Sequence, residues 1–231
     1  MKNKKAFTLT ELLVAMGIVG IIAAMAIPAM MNSINKTMLT ANLKGFVQSV
    51  KQAADAQLIA KRTKTLEDTD FSNPVKLLEN NFDVVRVCDY TNKTCWPDEV
   101  LKKYKTLNGG EYELTRQTTA LLKNGATVLF NHGEFYDVDD NLVLDAVYGE
   151  FYIDLNGDKK PNIVGRDLFA FYISRQAKIS PNASFVLYND YTDPDTGDNV
   201  PQLHIYRNNC LSGQPDACFG FIMLNGWRMS Y

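Results

Sequence analysis

Phe7-Thr8-Leu9-Thr10-Glu11-Leu12-Leu13-Val14 leads, behind Lys2, Lys4 and Lys5, into the unbroken apolar run LLVAMGIVGIIAAMAIPAMM at positions 12–31. As a helix, a run of about 20 residues crosses a bilayer core about 30 Å thick. The basic flank holds the N-terminus on the cytoplasmic side and places the rest of the chain across the membrane. Glu11 is the odd residue. An acidic group inside such a helix costs about 2.5–3.5 kcal/mol on insertion scales, and neither an anchor nor an export signal needs it. Ala24-Met25-Ala26 has the small-x-small form of a secretory peptidase site, so cleavage after Ala26 is a competing reading. A carboxylate there is tolerable if an ammonium group meets it on assembly, a kind of pair that specifies register better than it adds net stability. Ala15, Gly17, Gly20, Ala23 and Ala24 allow neighbouring helices to approach closely.

Residues Lys4-Lys5-Ala6-Phe7-Thr8-Leu9-Thr10-Glu11-Leu12-Leu13-Val14 closely resemble the N-terminal signal of type IV pilins and type II secretion pseudopilins. The resemblance covers about the first 30 residues. It implies that a prepilin peptidase cuts between Ala6 and Phe7 and that the new amino group of Phe7 is methylated. It also implies that Glu11 pairs with the N-terminal amine of a neighbouring subunit and that Pro28 sits where the family carries a helix-kinking proline. The residue before the cut is usually Gly in the family and is Ala6 here. The implied partners are other pilin subunits, the prepilin peptidase, and an assembly platform and ATPase on separate chains. The chain then divides into a leader (1–6), a transmembrane and assembly helix (7–31), its amphipathic continuation (32–62) and a globular periplasmic or extracellular domain (63–231). The implied function is a structural subunit, a minor pilin being one option, of a type IV pilus or type II secretion pseudopilus. A DNA-uptake filament is a third member of that set. The alternative is an exported or membrane-anchored periplasmic binding protein that does not polymerise.

Past Pro28 the helical period continues through Met38, Leu39, Leu43, Phe46, Val47, Val50, Ala54 and Leu58 to a stop near Arg62. A helix from Phe7 to that point is about 80 Å long. Two helices broken at Pro28 are the other possibility. Residues 66–105 read as a connector with a short helix at 74–80 and a loop holding Cys88, Trp96 and Pro97. Strand-like runs follow at 111–114, 127–131, 134–138, 147–154, 167–174, 184–189 and 202–207, several separated by Asn-Gly or His-Gly turns. The expected fold class is α+β and pilin-like: a long N-terminal α-helix, transmembrane in its first half, packed on a C-terminal antiparallel β-sheet domain.

A formal net charge of −2 over 231 residues gives no whole-chain field for nucleic acid or anionic lipid. The one basic cluster worth testing for nucleic acid is Lys102, Lys103 and Lys105 beside Tyr104. The four cysteines fall in two short-range pairs, Cys88 with Cys95 and Cys210 with Cys218, without the spacing of zinc or thioredoxin sites. Disulfides closing such short loops stabilise by roughly 3 kcal/mol or somewhat less and require an oxidising compartment. The stretch from 154 to 167 alternates oxygen-bearing side chains as calcium loops do: Asp154, Asn156, Asp158 and Asn162, with Asp167 beyond. It has no Gly at the sixth position and no acid at the twelfth, so it is not an EF-hand. The competing reading is a turn whose Asx side chains cap their own backbone. The same stretch looks like a loop recurrent in pilin-like domains. A second acidic loop, 189–199, reads as a solvated hairpin tip. His132 and His204 lack a second ligand at useful spacing, and there is neither a nucleophile elbow nor a phosphate loop, so no catalytic activity is expected. Residues 210–227 read as a disulfide-bounded loop leading to a last strand or turn.

Overall fold

The computed structural model describes residues 8–133, 147–184, 190–192 and 199–231. The expected leader with Ala6 and Phe7, the strand at 134–138, positions 185–189 and most of the acidic loop lie outside the described residues. The elements are α1 (Leu9–Lys61), α2 (Pro74–Asn81), β1 (Val84–Cys88), α3 (Asp98–Leu101), β2 (Tyr104–Lys105), β3 (Glu111–Tyr112), β4 (Thr118–Leu122), β5 (Thr127–His132), β6 (Gly149–Asp154), β7 (Leu168–Ile173), β8 (Ile179–Ser180), β9 (Tyr191–Thr192), β10 (Asn199–Val200), α4 (Gln202–Leu211) and α5 (Pro215–Leu224). The chain divides into two compact units, Met1–Met38 and Leu39–Tyr231, so the boundary falls inside α1.

In the first unit, Leu9–Ile27 is 19 residues long and apolar enough to cross a membrane. Leu9, Leu13, Val19, Ile22 and Met25 all stand exposed, which in water would be unfavourable and in lipid is not. The helical assignment runs through position 28 without a break.

In the second unit the helix changes character. Leu43, Phe46, Val47, Val50 and Ala54 are buried at three- and four-residue spacing and form one stripe. α1 stops with Arg62 in the left-handed region (φ 53). The Thr63 N–H then reaches back to the Leu58 carbonyl and the Arg62 N–H to that of Ile59, a Schellman closure in which Arg stands where Gly is usual.

The sheet has six strands in the order β1-β4-β5-β6-β7-β8, all neighbours antiparallel. Register sorts its faces. Phe130, Phe151 and Phe171 are directly opposed across β5, β6 and β7, and the Phe46 ring lies 6.0 Å from Phe151 and 6.1 Å from Phe171. The α1 stripe therefore packs on this face. The opposite face carries Asn131 beside Glu150 beside Tyr172, then Leu129 beside Tyr152. It is covered by the β2–β3 hairpin, whose Tyr104 is fully buried.

Several strand expectations change. Residues 202–207 form the start of α4, because Leu203, Tyr206 and Cys210 turn inward at helical spacing. Residues 215–224, expected as the end of a disulfide-bounded loop running into a last strand or turn, form α5 behind Pro215 at its first position. Gly220 lets the Tyr206 ring lie against the helix: a Cβ there would fall 2.5 Å from that ring. The strand at 111–114 shortens to Glu111–Tyr112. β1 and β4 were not expected; β4 is buried at three of its five positions, the adjacent Thr119 and Ala120 among them, and so shows no clean alternation.

Candidate functional site

The N-terminal site is built on a capping box. The Thr8 backbone N–H donates to Glu11 Oε2 at 2.9 Å and the Thr8 hydroxyl donates to the same oxygen at 2.8 Å. In return the Glu11 N–H donates to Thr8 Oγ1 at 3.2 Å. This is the Thr-x-x-Glu arrangement that satisfies open donors at a helix start. The Glu11 carboxylate is thus hydrogen-bonded within its own chain, on the exposed first turn of an apolar helix, at the terminus where the helix dipole favours negative charge. Thr8, not singled out from the sequence, is what holds it; the Thr-x-x-Glu spacing was legible there. Ala6 and Phe7 lie outside the described residues.

The oxygen-rich loop is brought together in part. Asp154 and Asp167 are both fully buried. Asp154 accepts from the Tyr104 hydroxyl and, at 3.1 Å, from the Asn156 N–H. Asp167 accepts from the Asn162 N–H at 2.9 Å and the Ile163 N–H at 2.6 Å, and Leu155 N–H closes the loop on the Asp167 carbonyl at 2.9 Å. All four carboxylate oxygens therefore face a donor. Asp158 is exposed, and Asn156 Oδ1 and Asn162 Oδ1 are buried without a partner. Calcium takes six to eight oxygens, so these side chains would need backbone carbonyls or water to complete a site. Among the described residues no group of three or more His, Cys, Asp or Glu is placed to hold a metal. The backbone donors to Asp154 and Asp167 fit a clasp of Asx caps.

The clasp has a second partner. Both cysteine pairs are bonded, Cys88 to Cys95 and Cys210 to Cys218, the latter joining α4 to α5. Gly165, in the left-handed region at φ +85, lies against the Cys210–Cys218 sulfurs, and the Tyr231 hydroxyl donates to its carbonyl. Loop 154–167 thus docks the C-terminal helix pair and the chain end. His132 packs edge-on against Tyr148, and burial lowers its pKa.

Burial pushes the Asp154 carboxyl up to about 7, despite the Tyr104 hydroxyl, and burial also raises Asp167. The folded chain then holds the Asp154 proton more tightly than the unfolded chain, so this contribution is fully present below the ordinary 3.8 and is lost as pH rises to about 7. Asp98, held at about 2 by Lys93 and Arg116, keeps its charge across that window. The expected result is a globular domain more stable at pH 5 than at pH 8 by about 2–4 kcal/mol. Thermal melts of the full chain in detergent against pH check it, and Asp154→Asn should flatten the profile. A profile unchanged by that substitution would assign the dependence elsewhere.

An exposed apolar helix that starts on a capped glutamate, followed by an antiparallel sheet domain, defines an α+β protein of pilin-like fold. The prokaryotic N-terminal methylation motif matches residues 1–27. The chain is similar to a type IV major alpha-pilin of Moraxella bovis, 38% identical over 68 residues that make up 29% of this chain and 42% of that one. The matched part spans about two fifths of the length of that curated relative. No solved structure matches. The motif and the relative together support a type IV pilin-like family.

Proposed function

We propose that this chain is a structural subunit, without enzymatic activity, of a filament of the type IV pilus or type II secretion pseudopilus kind. The observation that carries the reading is the exposed apolar segment Leu9–Ile27, which contains one acidic residue, Glu11, within the stretch matched by the methylation motif. On this reading a prepilin peptidase removes residues 1–6, Phe7 becomes the methylated N-terminus, and the precursor waits in the inner membrane with its N-terminus cytoplasmic and Leu39–Tyr231 outside. Assembly then exchanges lipid for neighbouring helices, and the Phe7 ammonium of one subunit meets Glu11 of the next. Polymerisation through a platform and ATPase on other chains completes the proposal. The bonded cysteine pairs suit an oxidising compartment for the globular unit. A size of 231 residues favours a minor subunit.

Peptide mass spectrometry of the N-terminus, on protein recovered from membranes and from sheared material, tests it. The expected mature chain begins at methylated Phe7. A chain beginning at Ile27 would overturn the filament reading in favour of an exported binding domain.

A further inference from the structure

On the sheet face opposite the α1 stripe, a cavity of about 190 Å³ lies between β5, β6 and the segment following β3. Its lining is mostly polar, with Glu150, Asn131, Tyr112 and Tyr152 joined by Glu113, Thr115 and Gln117, and Leu114 and Leu129 supply the apolar part. Glu150 is 9% exposed. Tyr152, Tyr172 and Asn131 hydrogen-bond its carboxyl, and burial keeps both phenols protonated as donors. Asp216, at the start of α5, acts electrostatically on Glu150, Tyr112 and Tyr172.

Among the described residues no cation is paired with Glu150 or Asp216. Arg116, on the same segment as the cavity wall, is paired with Asp98. Positions 134–146, 185–189 and 193–198 contain no Lys, Arg or His. A buried carboxyl without a base is unfavourable as an anion, and burial raises Glu150 toward the neutral form, as it also raises the half-buried Asp216. A ligand that supplies the missing positive charge recovers that loss on binding.

We propose that this cavity is a binding site for a primary alkylammonium group. Leu114 and Leu129 take the methylene stem, the rings of Tyr112 and Tyr152 flank it, and the ammonium donates to Glu150. Among the described residues no group of three or more His, Cys, Asp or Glu is placed here to hold a metal ion. The same chemistry comes from a free amine or from a lysine side chain of another protein, and the assignment is independent of filament formation.

The test uses the full chain in detergent micelles. Calorimetric titration with n-butylammonium chloride at fixed ionic strength is expected to show saturable binding, while 1-butanol shows none. Glu150→Gln keeps the hydrogen-bonded shape and removes the charge; it should weaken butylammonium by about tenfold or more without lowering the melting temperature. Asp216→Asn should weaken it by a smaller factor, and serves if Glu150→Gln fails to fold. Absence of saturable binding, or equal binding by the wild type and the folded variants, overturns the proposal. Carbodiimide coupling in native membranes identifies the source: a Glu150 peptide joined to a lysine peptide assigns it to protein, and butylammonium binding without that cross-link assigns it to a free amine.

Discussion

Glu11→Ala is expected to abolish filament recovery while leaving the protein in the membrane. The carboxylate is held by the Thr8 N–H and hydroxyl in the single chain, so a membrane-resident precursor carries a satisfied acid and not an orphan. Assembly under the proposed function hands one oxygen to the Phe7 ammonium of a neighbour. A charge-assisted hydrogen bond of that kind contributes about 1.5–3 kcal/mol, so its loss weakens each subunit addition by roughly ten- to a hundredfold. Over a polymer that is loss of the filament. Insertion itself should improve, since about 2.5–3.5 kcal/mol of acidic-residue cost disappears. Glu11→Gln separates the two roles: it keeps an oxygen for the Thr8 donors and removes the charge. Shearing yield, read by immunoblot against total membrane protein, should fall for both variants. Wild-type yield from Glu11→Gln would mean that the residue serves as a helix cap alone.

Gly165→Ala is expected to destabilise the globular unit by about 3 kcal/mol or more. Part of that is backbone: φ +85 is a region in which an L-residue is strained by about 1–2 kcal/mol. The remainder is steric. A Cβ at this position would sit 2.6 Å from Cys218 Sγ, 3.1 Å from Cys210 Sγ and 3.1 Å from Leu107 Cδ1, and a buried disulfide cannot swing aside as a flexible side chain does. Gly125→Ala is the internal control, because Gly125 has φ +88 but nothing within 4 Å of its would-be Cβ. Denaturant melts of the full chain in detergent should place Gly165→Ala well below Gly125→Ala. Equal losses would show that the loop 154–167 does not dock against the disulfide in solution.

These outcomes bear on different units, and a variant in one should leave the other intact. Glu11→Ala should not move the melting transition of Leu39–Tyr231. Gly165→Ala should not prevent removal of residues 1–6 if processing needs the N-terminal segment alone. Measuring both variants in both assays therefore separates failure of assembly from failure to fold.

The long N-terminal helix was legible because its signals are local. Apolar length, the basic flank and the three- and four-residue rhythm through Leu43, Phe46, Val50 and Ala54 all depend on neighbours within a turn or two. Both cysteine pairings were legible for a similar reason, since 7 and 8 residues separate the partners. β5, β6 and β7 were found within a residue or two from their apolar runs and turns. The C-terminal segments were misread because a short apolar run such as 219–224 fits a strand or a helix equally well on its own. What makes it helical is the Tyr206 ring against Gly220 and the disulfide across α4 and α5, contacts between residues the local pattern cannot connect.

The oxygen-rich loop shows the same division. Its Asx spacing announced a structured turn, with calcium as one reading and backbone capping as the other. Tyr104, fifty positions before Asp154, donates to one of these carboxylates, a contact that the local spacing could not show. The cavity at Glu150 was wholly silent in the sequence, because Asn131, Glu150 and Tyr172 become neighbours through strand register alone. The sequence by itself determined the membrane helix, its acid and the α+β class, since periodicity and composition over a few turns are enough for those. Which carboxyl is buried beside a cavity, and which glycine must stay a glycine, were decided by tertiary structure, because only packing brings distant side chains within reach and removes water from between them.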